Sequence, residues 1–495
     1  MELAIALDFQ SQTPLHQQLY EALQRAILQG ILPPRYRLPS TRSLAKSLGI
    51  SRNTVTQSYD RLLGEGYLAT VAGSGTYVSD RLPEEFLQAK AVDPPLSAMR
   101  SPHSLSEYGE RLAKNELALQ PEPDVAINFR YGTPNLDLFP VKLWRKLLSR
   151  HCCGGREWLD YARDFRGYAP LREAIAGYLG RSRAVKCNPE QILLTNGTQQ
   201  AVNLILRVLF VRGEAIAVED PGYLSAKRIF ASYDADIIPI PVDASGLVVE
   251  KLGDREAKLV YVTPSHQFPT GAILSLSRRL ALLQWAQQTG GLIIEDDYDS
   301  EFRYGERPIP ALQGLNGGNS VLYIGTFSKV LFPSLRIGYL VLPEHLVEVF
   351  LRAKWLCDRQ LSTLDQYVLT DFIEEGHLES HIRKMRSHYD KLRQTLVKAL
   401  EEFFGDRVTI FGEKAGIHLM AKFHFPLRDE EVISRAESVG VGLMSARVHY
   451  LDACDRGEFI FGYGELSEEQ IWEGIEKLAV AIHVVKVGIT HLGIH

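Results

Sequence analysis

The chain has 495 residues, 45% hydrophobic and 23% charged, the mix of a globular protein with room for several domains of about 100–200 residues each. No apolar run reaches the roughly 18 residues of a membrane-spanning helix, and the opening "MELAIALDFQSQ" lacks the basic start and apolar stretch of a secretion signal, so the expectation is a cytoplasmic protein without membrane contact. The net charge of −5 argues against a nucleic-acid binder for the chain as a whole, and five scattered cysteines (Cys152, Cys153, Cys187, Cys357, Cys454) read as reduced thiols, with no metal site expected.

That average charge hides an asymmetry. Between Gln10 and Leu63 stand seven basic residues (Arg25, Arg35, Arg37, Arg42, Lys46, Arg52, Arg61) against two acids (Glu21, Asp60), the balance of a DNA-reading module on a mildly acidic body. Leu15, Leu19, Leu23 and Ile27 recur every four residues and predict an amphipathic helix. In "LPSTRSLAKSLG", Ser40 or Thr41 is the N-cap of a second helix that buries Leu44, Ala45 and Leu48, and Gly49 closes it. In "ISRNTVTQSYDRLLGEGYL", Ser51 caps a third helix. Val55, Tyr59, Leu62 and Leu63 face inward, leaving Arg52, Asn53, Thr56 and Gln57 outward on its first turns. Two capped helices around a tight glycine turn, the second with polar first turns, have the geometry that enters a major groove. "YLATVAGSGTYV" then reads as a hairpin with Gly73, Ser74 and Gly75 at its tip, a wing that can approach phosphates closely.

From Asp80 to about Val125 the pattern fades. Pro83, Pro94, Pro95, Pro102, Pro121 and Pro123 punctuate a semi-extended linker with room for a short helix. The expected boundaries are therefore a head over 1–80, a linker over 81–125 and a body over 126–485. In the body, strand-like runs ("QILLTN", "EAIAVED", "KLVYVTP", "GLIIEDD", "VLYIGTF") alternate with helix-like ones ("QQAVNLILRVLF", "SRRLALLQWAQQ"), which predicts an α/β fold with a mostly parallel central sheet. After about Pro343 come long helical patterns. "VTIFGEKAGIHLMAKF" and "GVGLMSARVHY" then read as strands of a small C-terminal α+β subdomain.

Several strand ends of the body carry chemistry. "VLYIGTFSKVLFPSLRIGYL" places Lys329 after a strand, with Thr326 and Ser328 beside it and Arg336 seven residues on. "GLIIEDDYDSEFRY" ends an apolar strand in Asp296, Asp297 and Tyr298, at the sheet edge where α/β folds bind ligands. "ILLTNGTQQAVNLI" sets Gly197, Thr198 and Gln199 at a helix start, where free N–H groups suit a phosphate. Taken singly, each of these is an ordinary loop or cap. "EDPGY" offers Tyr223, and "GLMSARVHY" offers Arg447 for a bidentate carboxylate grip.

The strings "RLPSTRSLAKSLGISRNTVTQSYDRLLGEGYL" and "GSGTYV" resemble the GntR-type winged helix. That resemblance implies a DNA-contacting set of Ser40, Thr41, Arg42, Ser51, Arg52, Asn53, Thr54, Gly73, Ser74 and Gly75. One departure stands out: Arg35 and Tyr36 lie where such heads carry a glycine. The body resembles the fold-type-I aminotransferases, enzymes of pyridoxal 5'-phosphate. The likeness implies that Lys329 carries this cofactor as an imine and that Asp296 (or its neighbour Asp297) pairs with the pyridine nitrogen. It also implies that Tyr298 bonds the ring oxygen and Tyr223 stacks on the ring. Gly197, Thr198, Gln199, Thr326, Ser328 and Arg336 would cradle the phosphate, and Arg447 would hold a substrate or effector carboxylate. Tyr131 and Tyr161 sit in segments that contribute to the site, in part from the neighbouring subunit. In "TPSHQFPTG", Phe268 stands where plain aminotransferases keep an asparagine, with His266 or Gln267 as substitutes. Head and body together resemble the MocR/GabR-type regulators of the GntR superfamily. This implies a homodimer with head-to-tail domain exchange that binds a double-stranded DNA operator and senses an amino acid, an amine or pyridoxal phosphate itself. The alternative is a working aminotransferase that also controls its own gene.

Overall fold

The structure, a computed structural model, describes residues 5–9, 11, 13–71, 73–80, 104–115, 124–253, 256–305, 309–315, 318–452 and 456–482. Much of the expected 81–125 linker, the last residues of the expected body and Cys454 lie outside these. The chain divides into two compact units, Met1–Ser104 and Leu105–His495.

The N-terminal unit holds α1 (Leu15–Leu28), α2 (Thr41–Leu48) and α3 (Arg52–Gly64), followed by β1 (Leu68–Val71) and β2 (Gly75–Val78). Its helix ends are set by local chemistry. The Ser40 side chain accepts from the Ser43 N–H, Ser51 accepts from Thr54 N–H, and Gly49 ends α2 with a left-handed φ of 66°. Leu19, Leu23, Leu44, Val55, Tyr59 and Leu62 fill the core between the helices, while Leu48 and Leu63 are half-buried at its edge. Ser58 is also buried, its hydroxyl satisfied by the carbonyls of His16 and Thr54. β1 and β2 pair antiparallel from Leu68–Val78 to Val71–Gly75, forming the expected wing. Arg35 adopts φ 64°, a glycine-like conformation, and is anchored there by a two-pronged pair with Asp80 (2.5 and 2.8 Å) and by its N–H to the Val78 carbonyl. The place where such heads carry a glycine is thus held in a glycine-like backbone state.

The second unit opens with α4 (Glu107–Lys114), the short helix of the linker, then β3 (Ile127–Asn128), α5 (Val141–Gly154) and α6 (Ala169–Arg183). The alternating segment follows: β4 (Ile192–Thr195), α7 (Thr198–Leu209), β5 (Ala215–Asp220), α8 (Leu224–Ser232), β6 (Asp236–Asp243), β7 (Gly246–Leu247), β8 (Ala257–Val262), α9 (Leu276–Thr289), β9 (Leu292–Asp297), β10 (Val321–Thr326) and β11 (Gly338–Val341). These strands form an eight-stranded sheet in the order β4-β11-β10-β9-β8-β5-β6-β7. The run from β10 through β6 is parallel, and β11, β4 and β7 attach antiparallel. Parallel strands are covered on both faces, which is why they read as continuous apolar runs. Leu204, Ile205, Phe230 and Phe350 lie against one set of inward residues, and Leu282, Leu283 and Trp285 against another.

The chain continues through α10 (Val347–Asp358), α11 (Thr363–Glu374) and the 28-residue α12 (His377–Phe404) into a small subdomain. There β12 (Val408–Phe411), β13 (His418–Phe423), β15 (Met444–Ser445) and β16 (Glu458–Gly462) form a four-stranded sheet, with α13 (Asp429–Ser438), β14 (Val441–Gly442, paired with β3) and α14 (Glu468–Ala481) beside it. The segment "ARVH", expected as strand, is instead a single 3-10 turn, Ala446–His449, whose first turn is capped by the Ser445 hydroxyl. α4 docks on the end of α8: Arg111 donates to the Ser232 carbonyl (2.9 Å), Asn115 to that of Arg228 (3.4 Å), and the rings of Tyr108 and Tyr233 meet edge to face at 5.4 Å. Tyr233 in turn bonds Asn203 of α7 (3.4 Å), whose amide donates to the Gln199 carbonyl (2.8 Å).

Candidate DNA-binding and cofactor sites

In the N-terminal unit, the first turns of α2 and α3 meet: Arg52 Nε donates to the Thr41 hydroxyl (3.3 Å). Ser40, Arg42, Ser51, Arg52 and Asn53 are exposed around this junction, and Thr41 and Thr54 are half-exposed. The two helix starts therefore present hydroxyls, cations and N–H groups on one surface, where their dipoles favour an anion. At the wing, Gly73 (φ 75°) and Gly75 (φ 133°) flank Ser74, whose hydroxyl bonds that of Tyr77 (2.6 Å). Arg37, not singled out in the sequence, lies against Gly75, so that a Cβ there would come within 3.2 Å of its Nε.

The second unit carries a cavity of about 420 Å3 at the carboxyl edge of the central sheet. Its walls include Tyr131, Thr198, Gln199, Tyr223, Phe268, Asp296, Tyr298, Thr326, Ser328, Lys329 and Arg336, so residues from six separate segments meet in one place. The topology explains this: the ends of β4, β5, β9 and β10 all open on one edge, each followed by the loop that bears the motif.

Lys329 follows β10, and its amine donates to the Gly132 carbonyl. Burial pulls the pKa of this amine down, with the carboxylates of Asp299 and Asp296 pulling it back up. Asp296 is the last residue but one of β9 and is 4% exposed. Burial pushes its pKa up to about 7, against a hydrogen bond from the Tyr261 hydroxyl to Oδ2. Its other oxygen, Oδ1, is buried without a hydrogen-bond partner. Asp297 points to the other face of the strand. The Arg183 guanidinium (2.7 Å) and Tyr323 hydroxyl (2.6 Å) hold it below the usual carboxylate range against the upward push of burial. Of the two adjacent acids, only Asp296 faces the cavity.

Gly197 takes φ 76° and ψ 177° at the start of α7, a conformation open essentially to glycine alone. A Cβ there would stand 2.9 Å from Nη2 of Arg336, which donates to the Asn196 carbonyl (2.9 Å). Thr326 and Ser328 share a hydroxyl contact (3.1 Å) beside them. A glycine that lets a guanidinium close on a helix N-terminus, with two hydroxyls adjacent, is a cradle for a phosphate. A buried acceptor without a partner, an amine depressed by burial and this cradle share one cavity, so the residues present fit pyridoxal phosphate.

Not every expected residue comes to the site. Arg447 projects from the 3-10 turn, pairs with Glu430, an exposed acid of α13, and is not among the residues that line the cavity. Tyr161 is 63% exposed and lines a separate open groove with Trp158, Leu159 and Gln360, the Arg359 guanidinium lying over its ring at 4.0 Å. Gln267 is buried away from the cavity and donates to the carbonyls of Pro221 (2.8 Å) and Phe268 (2.7 Å). Phe268 stands in the wall, with ring centroids 4.9 Å from Tyr131 and 5.9 Å from Tyr223. Asp299, Tyr261, Gly132 and His418 belong to the site and were missed. Asp299 lies within the quoted "EDDYDSEF" string, but the other three carry no local signal.

Fold and site together define a winged-helix head followed by an aminotransferase-like body. Residues 15–78 match the family "Bacterial regulatory proteins, gntR family", and residues 131–441 match "Aminotransferase class I and II". The chain is similar to the "Probable rhizopine catabolism regulatory protein MocR" of Rhizobium meliloti, with 38% identity over 96% of this chain and 95% of that protein. It is also similar to the "HTH-type pyridoxine biosynthesis transcriptional regulator PdxR" of Corynebacterium glutamicum, with 31% identity over 95% and 96%. Among solved structures, the body resembles LysN, the α-aminoadipate aminotransferase of Thermus thermophilus, at a TM-score of 0.70 and 26% identity, covering 76% of this chain and 97% of that one. The Pyrococcus horikoshii kynurenine aminotransferase gives a TM-score of 0.68 at 29% identity, covering 77% and 95%. The chain belongs to the MocR/GabR subfamily of GntR-type regulators, transcription regulators with an effector-sensing aminotransferase-like domain. No helix among the described residues is long and apolar enough to cross a membrane.

Proposed function

We infer that this regulator binds pyridoxal 5'-phosphate at Lys329 and answers a primary amine, an amino acid or the cofactor itself by changing its grip on an operator. When bound, pyridoxal phosphate supplies a carbonyl that captures amines and a ring that accepts electrons. The chain's own residues do the rest. Lys329 presents an amine whose burial favours the neutral, nucleophilic form. Asp296 offers Oδ1 to a protonated ring nitrogen. Arg336, Thr198, Ser328 and the start of α7 fix an anion, and Tyr223, Phe268 and Tyr131 exclude water around it. The observation that carries the reading is the unpartnered, buried Oδ1 of Asp296 in the same cavity as the buried amine of Lys329.

Operator binding falls to the exposed helix starts of α2 and α3 and to the wing. A two-fold pair of such heads matches paired half-sites, so the working form is a homodimer in the cytoplasm with head-to-tail domain exchange. The effector's carboxylate falls to Arg447, whose partner in this structure is the exposed Glu430. The test is binding to the DNA upstream of its own gene at fixed salt, with and without pyridoxal phosphate, for wild type and Lys329→Ala. The cofactor is expected to shift affinity only when Lys329 is present, and only wild type should give a borohydride-reducible imine. A reducible imine in Lys329→Ala, or no specific DNA binding in any state, would refute the reading.

A second reading, an aminotransferase that also controls its own gene, is favoured by Lys329, Asp296 and Tyr298 sharing one cavity. Steady-state turnover on an amino-acid panel decides it, since a sensor gives at most a single slow round.

A further inference from the structure

Asp299 of the cavity wall is one half of a buried pair, and the other half, His266, lies behind it. His266 (1% exposed) sits in the loop after β8 and Asp299 (1% exposed) in the loop after β9. Nδ1 of His266 is 2.9 and 3.1 Å from the two carboxylate oxygens of Asp299 and 3.1 Å from the hydroxyl oxygen of Tyr298. That hydroxyl donates to the main-chain carbonyl of His266 (3.0 Å).

The backbone is shaped to close over the pair. A Cβ at Gly416 (φ 75°) would overlap the imidazole of His266, and one at Gly271 (φ 69°) would come within 3.0 Å of its Nε2. The Gly416 turn is pinned from the other side by the hydroxyls of Tyr304 (2.6 Å) and Tyr463 (2.8 Å), which both donate to its carbonyl. Two polar side chains removed from water are costly unless their hydrogen bonds are made, and this enclosure is built around them. His418 of β13 packs against His266 with ring centroids 4.7 Å apart. Its Nε2 is buried without a hydrogen-bond partner, and a bond to the Pro269 carbonyl is among the influences on its ring.

Nδ1 of His266 faces both oxygens of Asp299 and the oxygen of Tyr298, so a hydrogen on Nδ1 serves all three acceptors. An oxygen that accepts an N–H becomes a stronger donor of its own hydrogen. We propose that Asp299 and His266 are the positioning pair of Tyr298: Nδ1–H holds the hydroxyl oxygen in place, so that on cofactor binding its single hydrogen turns from the His266 carbonyl to the cavity. The proposal rests on the reading that the cavity holds pyridoxal phosphate at Lys329, with Tyr298 donating to a ring oxygen. Asp296, Asp297, Lys329, Glu219, His418, Tyr304 and Tyr463 are further titratable groups that act on the three residues. The variants below leave all of them in place.

The test uses the full chain loaded with pyridoxal phosphate and reads the pH at which its visible band changes. A donor to a ring oxygen draws charge from it and eases loss of the neighbouring proton, so weakening that donor raises the midpoint. His266→Leu and Tyr298→Phe are each expected to raise it by about half to one pH unit. His266→Asn, which keeps an N–H near the position of Nδ1, should stay near wild type. The double variant His266→Leu/Tyr298→Phe should move no further than Tyr298→Phe alone. Additive shifts, or a midpoint that moves in Tyr298→Phe but not in His266→Leu, would overturn the proposal. If His266→Leu fails to fold, a midpoint in His266→Asn that moves as far as in Tyr298→Phe overturns it, and one near wild type supports it. A wild-type midpoint that moves on adding EDTA would also overturn it, in favour of a cation among His266, Asp299 and His418. A wild type that takes up no cofactor would overturn the cofactor reading and this proposal with it.

Discussion

Gly197→Ala separates two costs that the site combines. At φ 76° and ψ 177° an alanine is strained by about 1–3 kcal/mol, a penalty present with or without ligand and therefore seen in stability. The new Cβ would stand 2.9 Å from Nη2 and 3.2 Å from Cζ of Arg336, a flexible tip that can retreat. Retreat removes one charge-assisted hydrogen bond to a phosphate, worth about 1.5–3 kcal/mol, which is about 10- to 150-fold in cofactor affinity. Thermal melts of the cofactor-free protein report the first cost and absorbance titration with pyridoxal phosphate reports the second. Arg336→Ala should reproduce only the second. If Gly197→Ala melts lower yet binds the cofactor as tightly as wild type, Arg336 is not a phosphate ligand and the cradle has been placed wrongly.

Asp296→Asn should change the pH dependence of the cofactor-free protein. The native pKa of about 7 lies above the unfolded value of 3.8, so the acid's contribution is full below about pH 4 and lost as pH rises to about 7. The variant should therefore gain on wild type across that window, by at most about 4 kcal/mol, and hold a constant lead above it. Urea unfolding at pH 5 and 7.5 checks this, and an equal gap at both pH values would contradict it. Arg52→Ala should weaken operator binding by about 1–3 kcal/mol if the guanidinium reads a base edge. If it meets only phosphate, the loss should be similar on all duplexes, with a shallower salt dependence, so titration against specific and scrambled DNA at several salt concentrations distinguishes the two. Ser51→Ala removes the cap of α3 and should cost the N-terminal unit about 1 kcal/mol, measurable by its melting.

What could be read in the sequence was what is written locally. The caps at Ser40 and Ser51, the closing Gly49 and the glycines of the wing each act on their own few residues, and all are found where expected. The strings around Lys329, Asp296 and Gly197 were legible for the same reason. The choice between Asp296 and Asp297 was not, because adjacent strand residues differ only in the face they present and the sheet decides which face is the cavity. The strand expected at "ARVH" is a 3-10 turn because the Ser445 hydroxyl caps it, and from that turn the Arg447 guanidinium reaches Glu430. Asp299 and His418 were missed because their partner in each case is a histidine brought up by tertiary folding, from 33 residues away for Asp299 and from another sheet for His418. Arg35 could not be read as a stand-in for glycine, since Asp80, the residue that holds it in the left-handed state, lies far along the chain.

The docking of α4 gives the linker a mechanical character. It grips the end of α8, and through Tyr233 and Asn203 it touches α7, and these are the two helices whose opening residues, Tyr223 and Thr198 with Gln199, form the cavity wall. With 12 and nine residues, the helices are stiff rods about 18 and 14 Å long. A rod displaced along its axis moves as much at one end as at the other, so an axial shift of α8 at Tyr223 would be felt at Ser232 and Tyr233, where Arg111 and Tyr108 sit.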